Sequence, residues 1–284
     1  MRTHVPEAAL TVRAPLPSPP VAPARASGPP PAPASAPAPV LLVVHGTRRA
    51  HGVRAAEELR GALQGRTGRP VHLAHADVRA PDVTEALTRL AVPGRGATGP
   101  GQPGRGASAS AYGAGEPLTV VPAFLASGYH VRTDIPAQIA RAGRIGGGVR
   151  VTPPLGPSPA LLPALVDRLA ESGIRDGDAV VLAGAGSSDP SARAEVADMA
   201  TRLGRLLRCP VPVAWAAGAA PTVADTVARL RAEGARRVAV ATWLLAPGLF
   251  ADRLHAAGAD TVAAPLAAHP SVVALLAERV AARG

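Results

Sequence analysis

Val40-Leu41-Leu42-Val43-Val44-His45-Gly46-Thr47-Arg48 is the stretch on which the fold turns. Its first five residues are apolar without alternation. A strand wetted on one face would alternate; an unbroken apolar run is how a strand covered on both faces reads, which points to a parallel sheet between helices. Six more short apolar runs follow, at Val71–Ala74, Leu118–Val121, Val149–Thr152, Ala179–Ala183, Val211–Trp215 and Val238–Trp243, separated by helix-length stretches. Strands alternating with helices predict a doubly wound α/β fold.

The same order of residues occurs twice. Val43-Val44-His45-Gly46, running into a helix with Glu57, pairs with Val181-Leu182-Ala183-Gly184 and a helix with Glu195, an offset of 138 (45 to 183). The run Pro70–Asp77 with Pro81-Asp82-Val83 pairs with Pro210–Ala217 and Pro221-Thr222-Val223, an offset of 140 (70 to 210). Phe124–Gly128 pairs with Leu244–Gly248 at 120 (124 to 244), and Pro154-Leu155 with Pro265-Leu266 at 111 (154 to 265). The fall from 140 to 120 marks extra chain in the first copy. The Gly/Ala/Ser-rich segment 93–115 has the composition of a flexible insertion. The expected fold is therefore two duplicated, doubly wound parallel-sheet domains in a bilobal chain. A first lobe spans 40–155 and a second spans 156–284. The Pro/Ala-rich segment 1–39 reads as a disordered, partly polyproline-II tail.

Hydrophobic residues make up 47% of the 284, enough for a sizeable core, but aromatics are only 2%, so that core is built from Ala, Val and Leu. All 30 basic residues are Arg, which tempers a functional reading of any single one. The net charge of +10 is spread along the chain with no nucleic-acid-binding signature, so an anionic partner such as a polycarboxylate fits better than nucleic acid. The single Cys209 excludes an internal disulfide and a thiolate cluster. No apolar run reaches the roughly 18 residues of a membrane span, and the start lacks a signal-peptide core. A cytoplasmic location is expected.

Duplication supplies an internal control. His45 faces Ala183, His75 faces Trp215, Asp77 faces Ala217 and His130 faces Phe250, so the first copy holds a polar set that the second lacks. Ligands of doubly wound sheets bind beyond the carboxyl ends of the strands, where His45 and His130 are expected to converge. Asp77 has two readings, a site residue or an N-cap for the helix entering at Pro81-Asp82. His75 reads as a packing position and Phe124 as core. Gly128 permits the close backbone approach of a site loop. His269-Pro270 reads as a loop or a helix start.

Val44-His45-Gly46-Thr47-Arg48, with the later run from Val121 through Ser127-Gly128-Tyr129-His130-Val131-Arg132-Thr133-Asp134-Ile135-Pro136, resembles the CbiX/SirB family of sirohydrochlorin chelatases. The resemblance covers nearly everything from Val40 onward, apart from the Gly-rich insertion. It implies a bilobal chelatase-like fold with a tetrapyrrole cleft, and His45 and His130 as metal-binding or proton-accepting residues. The chain has Thr47 where the family commonly has Ser, which keeps the hydroxyl. Thr47, Arg48, Asp77, Ser127, Gly128, Tyr129 and Arg132 are the implied substrate-binding set, with Arg49 nearby. Their arginines either hold carboxylates through charge-assisted bonds or are a solvated face.

The implied reaction inserts a divalent metal, Fe²⁺ or Co²⁺ with Ni²⁺ a further candidate, into sirohydrochlorin or a related acidic tetrapyrrole. No organic cofactor is expected, and the chain is a monomer or homodimer. Imidazole suits this chemistry, since it binds borderline divalent metals and accepts protons near neutral pH. Two histidines make an open, weak site, unlike a closed four-ligand structural zinc site. A histidine phosphatase would place Arg where Val44 stands. A dinucleotide fold would need a third Gly after Gly184-Ala185-Gly186-Ser187-Ser188. A non-enzymatic tetrapyrrole or metal carrier with the same cleft remains the alternative.

Overall fold

The computed structural model describes residues 37–91, 116–143, 145 and 148–282. The expected tail up to residue 36 and the expected insertion lie outside the described residues. Ala38, at the end of the expected tail, is buried, and its carbonyl accepts Arg69 Nε at 2.8 Å.

The first lobe runs β1 (Val40–Val44), α1 (Ala50–Thr67), β2 (Val71–His75), α2 (Val83–Ala91), β3 (Leu118–Pro122), a π-helical turn (His130–Asp134), α3 (Ile135–Ala142) and β4 (Val149–Val151). A 3₁₀ turn (Pro159–Leu161) and α4 (Leu162–Glu171) lead to β5 (Ala179–Gly184), α5 (Pro190–Leu207), β6 (Val213–Trp215), α6 (Val223–Ala232), β7 (Val238–Trp243), α7 (Leu249–His255), β8 (Thr261–Val262) and α8 (Pro270–Ala281). Both sheets are parallel and four-stranded, in the orders β2-β1-β3-β4 and β6-β5-β7-β8. The duplicated doubly wound fold expected from the sequence is what forms. All five β1 residues are buried, which is why the run does not alternate. Among the described residues, no helix is long and apolar enough to cross a membrane.

Helix ends follow local chemistry. Asp189 caps α5 by accepting the Ser191 N–H at 2.8 Å, with Pro190 at the first helical position. Thr222 and Asp225 form a capping box on α6. His269 caps α8 through Nδ1, ahead of Pro270, which makes His269-Pro270 a helix start. The N-cap position of α1, Arg49, makes no side-chain cap.

The two lobes share one core. Leu42 and Val44 of β1 belong to the same buried cluster as Leu182 of β5, Leu165 of α4 and Leu276 of α8. Helix α8, which ends the second copy, packs on α1 and β3, whereas α4 packs on β7. Arg150 of β4 fastens the crossing helix: its guanidinium donates to the carbonyls of Val280 and Ala282 at 2.8 Å each. Those carbonyls lie at the negative end of the α8 dipole, where a cation is favoured.

Candidate active site

Strand order reverses at β1, which lies between β2 and β3. The carboxyl ends of β1 and β3 therefore border the crevice such sheets use for ligands. His45 directly follows β1, and β3 feeds the loop 123–129 and the turn that begins at His130. The two imidazoles meet there, ring centroids 4.9 Å apart and planes tilted by 52°. Phe124 and Tyr129 stand 5.8 and 6.0 Å from the His130 ring, in a protein with two Phe and two Tyr. The turn is wide because the Ile135 N–H bonds to the His130 carbonyl, five residues back rather than four. Such π-helical turns occur frequently at functional sites. The matching stretch of the second lobe is the ordinary helix α7.

One turn after His130, Asp134 Oδ2 lies 3.0 Å from His130 Nδ1. Asp134 Oδ1 accepts Gln138 Nε2 at 3.1 Å. Gln138 is 3% exposed and is itself pinned, accepting the Val83 N–H at 2.9 Å and donating to the Ala76 carbonyl at 3.0 Å. Partial burial opposes ionisation of Asp134. The hydrogen bonds from Gln138 and His130, with the charges of His130 and Arg141, outweigh it and hold the carboxyl below its usual range. An ionised carboxylate only accepts, so His130 Nδ1 carries the proton, and in the neutral ring Nε2 keeps its lone pair.

His45 is solvent-accessible, yet its pKa lies below the ordinary histidine value. Protein atoms around the ring displace part of its hydration and the neighbouring His130 disfavours a second positive charge, while Asp77 pulls the other way. Asp77 is thus close enough to act on His45. It is not the N-cap of α2; Asp82 takes that role by accepting the Glu85 N–H at 2.7 Å. Asp77 Oδ1 instead accepts the Val78 N–H at 2.7 Å, and its backbone N–H donates to the His45 carbonyl at 3.0 Å. Gly46, at φ +101°, passes so close to the Asp77 carbonyl that no Cβ would fit.

The remaining expected residues spread along the seam between the lobes. Thr47 Oγ1 accepts the Arg49 N–H at 3.1 Å, shaping the turn into α1. Arg48 is exposed on that loop, and Tyr129 is 66% exposed. Ser127 donates its N–H across the seam to Glu195 at 2.6 Å. Arg132 lies 3.9 Å from Asp189 and 3.7 Å from Glu195. A Cβ on Gly128 would meet Ala192 and Ser187 at an ordinary 3.9 Å, so these contacts do not demand glycine there. His75 is buried, with Nδ1 3.3 Å from the Pro81 carbonyl, a packing position like that of Trp215.

The structure corrects one register of the repeat. The N–H of Asp77 bonds to the His45 carbonyl just as Ala217 bonds to Ala185, and Gly46 and Gly186 make the same close approach. Helices α1 and α5 are likewise offset by 140 at both ends. His45 therefore corresponds to Ala185, not Ala183, and Glu195 corresponds to Ala55, not Glu57. The apolar runs of β1 and β5 slide past each other without penalty in a sequence comparison, whereas the strand-end hydrogen bonds do not. Asp134 and Gln138 were given no role from the sequence. Their signals were the successive four-residue spacings from His130 to Asp134 and from Asp134 to Gln138, and their replacement by Leu254 and Gly258 at offset 120.

A duplicated, two-lobed parallel α/β protein with an imidazole pair at the strand ends of one lobe only is the class that fold and site define. The CbiX family model matches residues 39–98, 106–172 and 179–283, and the chain belongs to the CbiX family. The fold is also that of SirB from Bacillus subtilis with Fe³⁺, at 20% identity and TM-score 0.66 over 86% of this chain and 94% of that one. SirB from B. subtilis subspecies spizizenii in complex with cobalt gives 18% and 0.62 over the same shares. DR2241 from Deinococcus radiodurans, a multi-domain protein with similarity to chelatases, gives 21% and 0.60 over 87% of this chain and 55% of its own. No curated protein sequence is significantly similar to the chain.

Proposed function

We propose that the chain is a sirohydrochlorin chelatase, inserting Fe²⁺ or Co²⁺ into sirohydrochlorin with loss of two pyrrole protons. The observation that carries this is the imidazole pair at 4.9 Å, with His130 Nδ1 held by Asp134 so that Nε2 presents a lone pair. His45, its pKa lowered, is neutral at neutral pH and offers a second lone pair. Each imidazole can bind the incoming metal and, once the metal has passed to the macrocycle, accept a displaced pyrrole proton. Among the described residues, no group of three or more His, Cys, Asp or Glu is arranged to hold a metal ion. Two ligands suit a metal that has to leave.

Tyr129 and the 44%-exposed Val78 offer apolar surface beside the pair for a flat ring, and Arg48, Arg49 and Arg132 offer cations for its carboxylates. Two imidazoles do not discriminate Fe²⁺ from Co²⁺, and Ni²⁺ belongs in the same assay, because affinities at such a site follow one general order. The SirB structures with Fe³⁺ and with cobalt support a site open to both metals. The test is anaerobic metal insertion followed by absorbance. His45→Ala and His130→Ala are expected to lose about a hundredfold or more in rate. Wild-type rates in both would refute the site, and binding of sirohydrochlorin without accelerated insertion would make the chain a carrier.

A further inference from the structure

We propose that Glu195, on the second lobe, is a positioning residue for the loop that carries His130; this rests on the reading of His45 and His130 as the reacting pair. Glu195 Oε2 accepts the Ser127 N–H at 2.6 Å, a part-buried, charge-assisted bond. Its Oε1 lies 3.7 Å from Arg132 Nη2. Both contacts run from α5 to the segment flanking His130.

The repeat shows that this bond is not generic lobe docking. Other seam contacts occur on both sides of the pseudo-twofold. Gly128 faces Ser187 Oγ and Gly248 faces Thr47 Oγ1, each at 3.9 Å from a Cβ position. Arg132 pairs with Asp189 at 3.9 Å, and Arg49 with Asp252 at 3.7 Å. The Glu195–Ser127 bond has no counterpart. Ser127 corresponds to Pro247, which has no N–H, and Glu195 corresponds to Ala55, which has no acceptor. Donor and acceptor are both missing on the side where Phe250 stands in place of His130. The geometry points to a bond kept for the loop it holds. His130 is thus placed from two directions, by Asp134 beneath it and through Ser127 from the opposite lobe.

The test uses the full chain, with Co²⁺ titrated alone and followed by its visible absorption, beside initial rates of insertion. Glu195→Ala and Ser127→Pro are each expected to weaken Co²⁺ binding about tenfold, as loss of outer-shell support does. The double variant should be no worse than either single, because one bond cannot be lost twice. Glu195→Gln, whose amide oxygen still accepts the N–H, should recover most of the affinity. Asp252→Asn, which cuts the opposite seam, should leave Co²⁺ affinity unchanged. Insertion should show kcat falling more than KM rises. Wild-type Co²⁺ affinity and spectrum in Glu195→Ala would overturn the proposal, as would effects that multiply in the double variant. Should Glu195→Ala fail to fold, Ser127→Pro, which copies the residue of the second lobe, and Glu195→Gln carry the comparison. If His45→Ala and His130→Ala keep wild-type Co²⁺ binding, the site reading fails and this proposal with it. If they lose it while Glu195→Ala does not, only the role of Glu195 falls.

Discussion

Replacing Asp134 with Asn removes one charge and almost no volume, yet it is expected to harm the site more than Asp134→Ala. The reason lies in Gln138. Its amide cannot turn over, because the Val83 N–H donates to Oε1 at 2.9 Å and Nε2 donates to the Ala76 carbonyl at 3.0 Å. Its NH₂ therefore always faces position 134. If the Asn oxygen accepts that NH₂, the Asn NH₂ faces His130 Nδ1, which must then act as acceptor. The imidazole proton moves to Nε2, the nitrogen assigned to the metal. If the Asn turns the other way, two NH₂ groups oppose each other and a buried donor goes unpaired, costing about 1–3 kcal/mol. Recovering the working tautomer costs that amount, and at about 1.4 kcal/mol per tenfold the loss is about 5- to 150-fold in Co²⁺ affinity and in insertion rate. Asp134→Ala removes the orienting bond but leaves the tautomer free, so it should fall between Asn and wild type. Anaerobic insertion rates and Co²⁺ titration give the order, and ¹⁵N NMR of the imidazoles reports the proton directly. An Asn variant equal to wild type, or better than Ala, would refute the reasoning.

Four further outcomes concern the frame around the site. Arg150→Ala should lower unfolding free energy by about 2–3 kcal/mol, read as a lower urea midpoint, because it frees the carbonyls of Val280 and Ala282 at the end of α8. Gly46→Ala should cost about 1–3 kcal/mol in strain and reduce insertion as well, since the loop must move off the Asp77 carbonyl. Gly61→Ala, in open space within α1, should instead stabilise by about 0.5–1 kcal/mol. For Asp260, the Val238 N–H bond lowers the carboxyl pKa; burial opposes this, and Arg231 and Arg237 reinforce it. A depressed folded pKa stabilises above the unfolded value of roughly 3.9 and ceases to do so as pH falls through the folded one. Asp260→Asn should therefore melt below wild type at neutral pH, with the gap closing below about pH 4.

The strands were legible where burial is complete. β7 forms over Val238–Trp243 as expected, with all six residues buried. β6 begins at Val213 rather than Val211; Pro212 lacks an N–H to donate to the ladder. β8 was not foreseen, since two residues at a sheet edge carry no pattern. The histidine pair stood out because one copy had it and the other did not. Asp134 lay within the same motif but acts only through His130, and nothing in composition or period announces a π-helical turn. Glu195 was hidden by its apparent match to Glu57, which made it look like a residue common to both copies. The strand-end hydrogen bonds, which set the offset at 140, expose it as one-sided.

The shared core explains why the second lobe matters to the fold although it lacks the histidine pair. Helix α8 covers β3 of the first sheet, and α4, which follows β4 in the first copy as α8 follows β8 in the second, covers β7 of the second sheet, so neither copy keeps a closed core without the other. The ion pairs of the seam contribute little to that union. Arg49–Asp252 and Arg132–Asp189 are separated by 3.7 and 3.9 Å with both arginines about half exposed, and such pairs are typically worth about 0–1 kcal/mol. Their polarity is the informative part. In both pairs the first lobe supplies the Arg and the second the Asp, although the positions are exchanged by the pseudo-twofold. Under the proposed function, these exposed Asp partners compete only weakly with the carboxylates of the substrate for Arg49 and Arg132. The shared core, not these ion pairs, joins the lobes, so an arginine that changed partner would not part them.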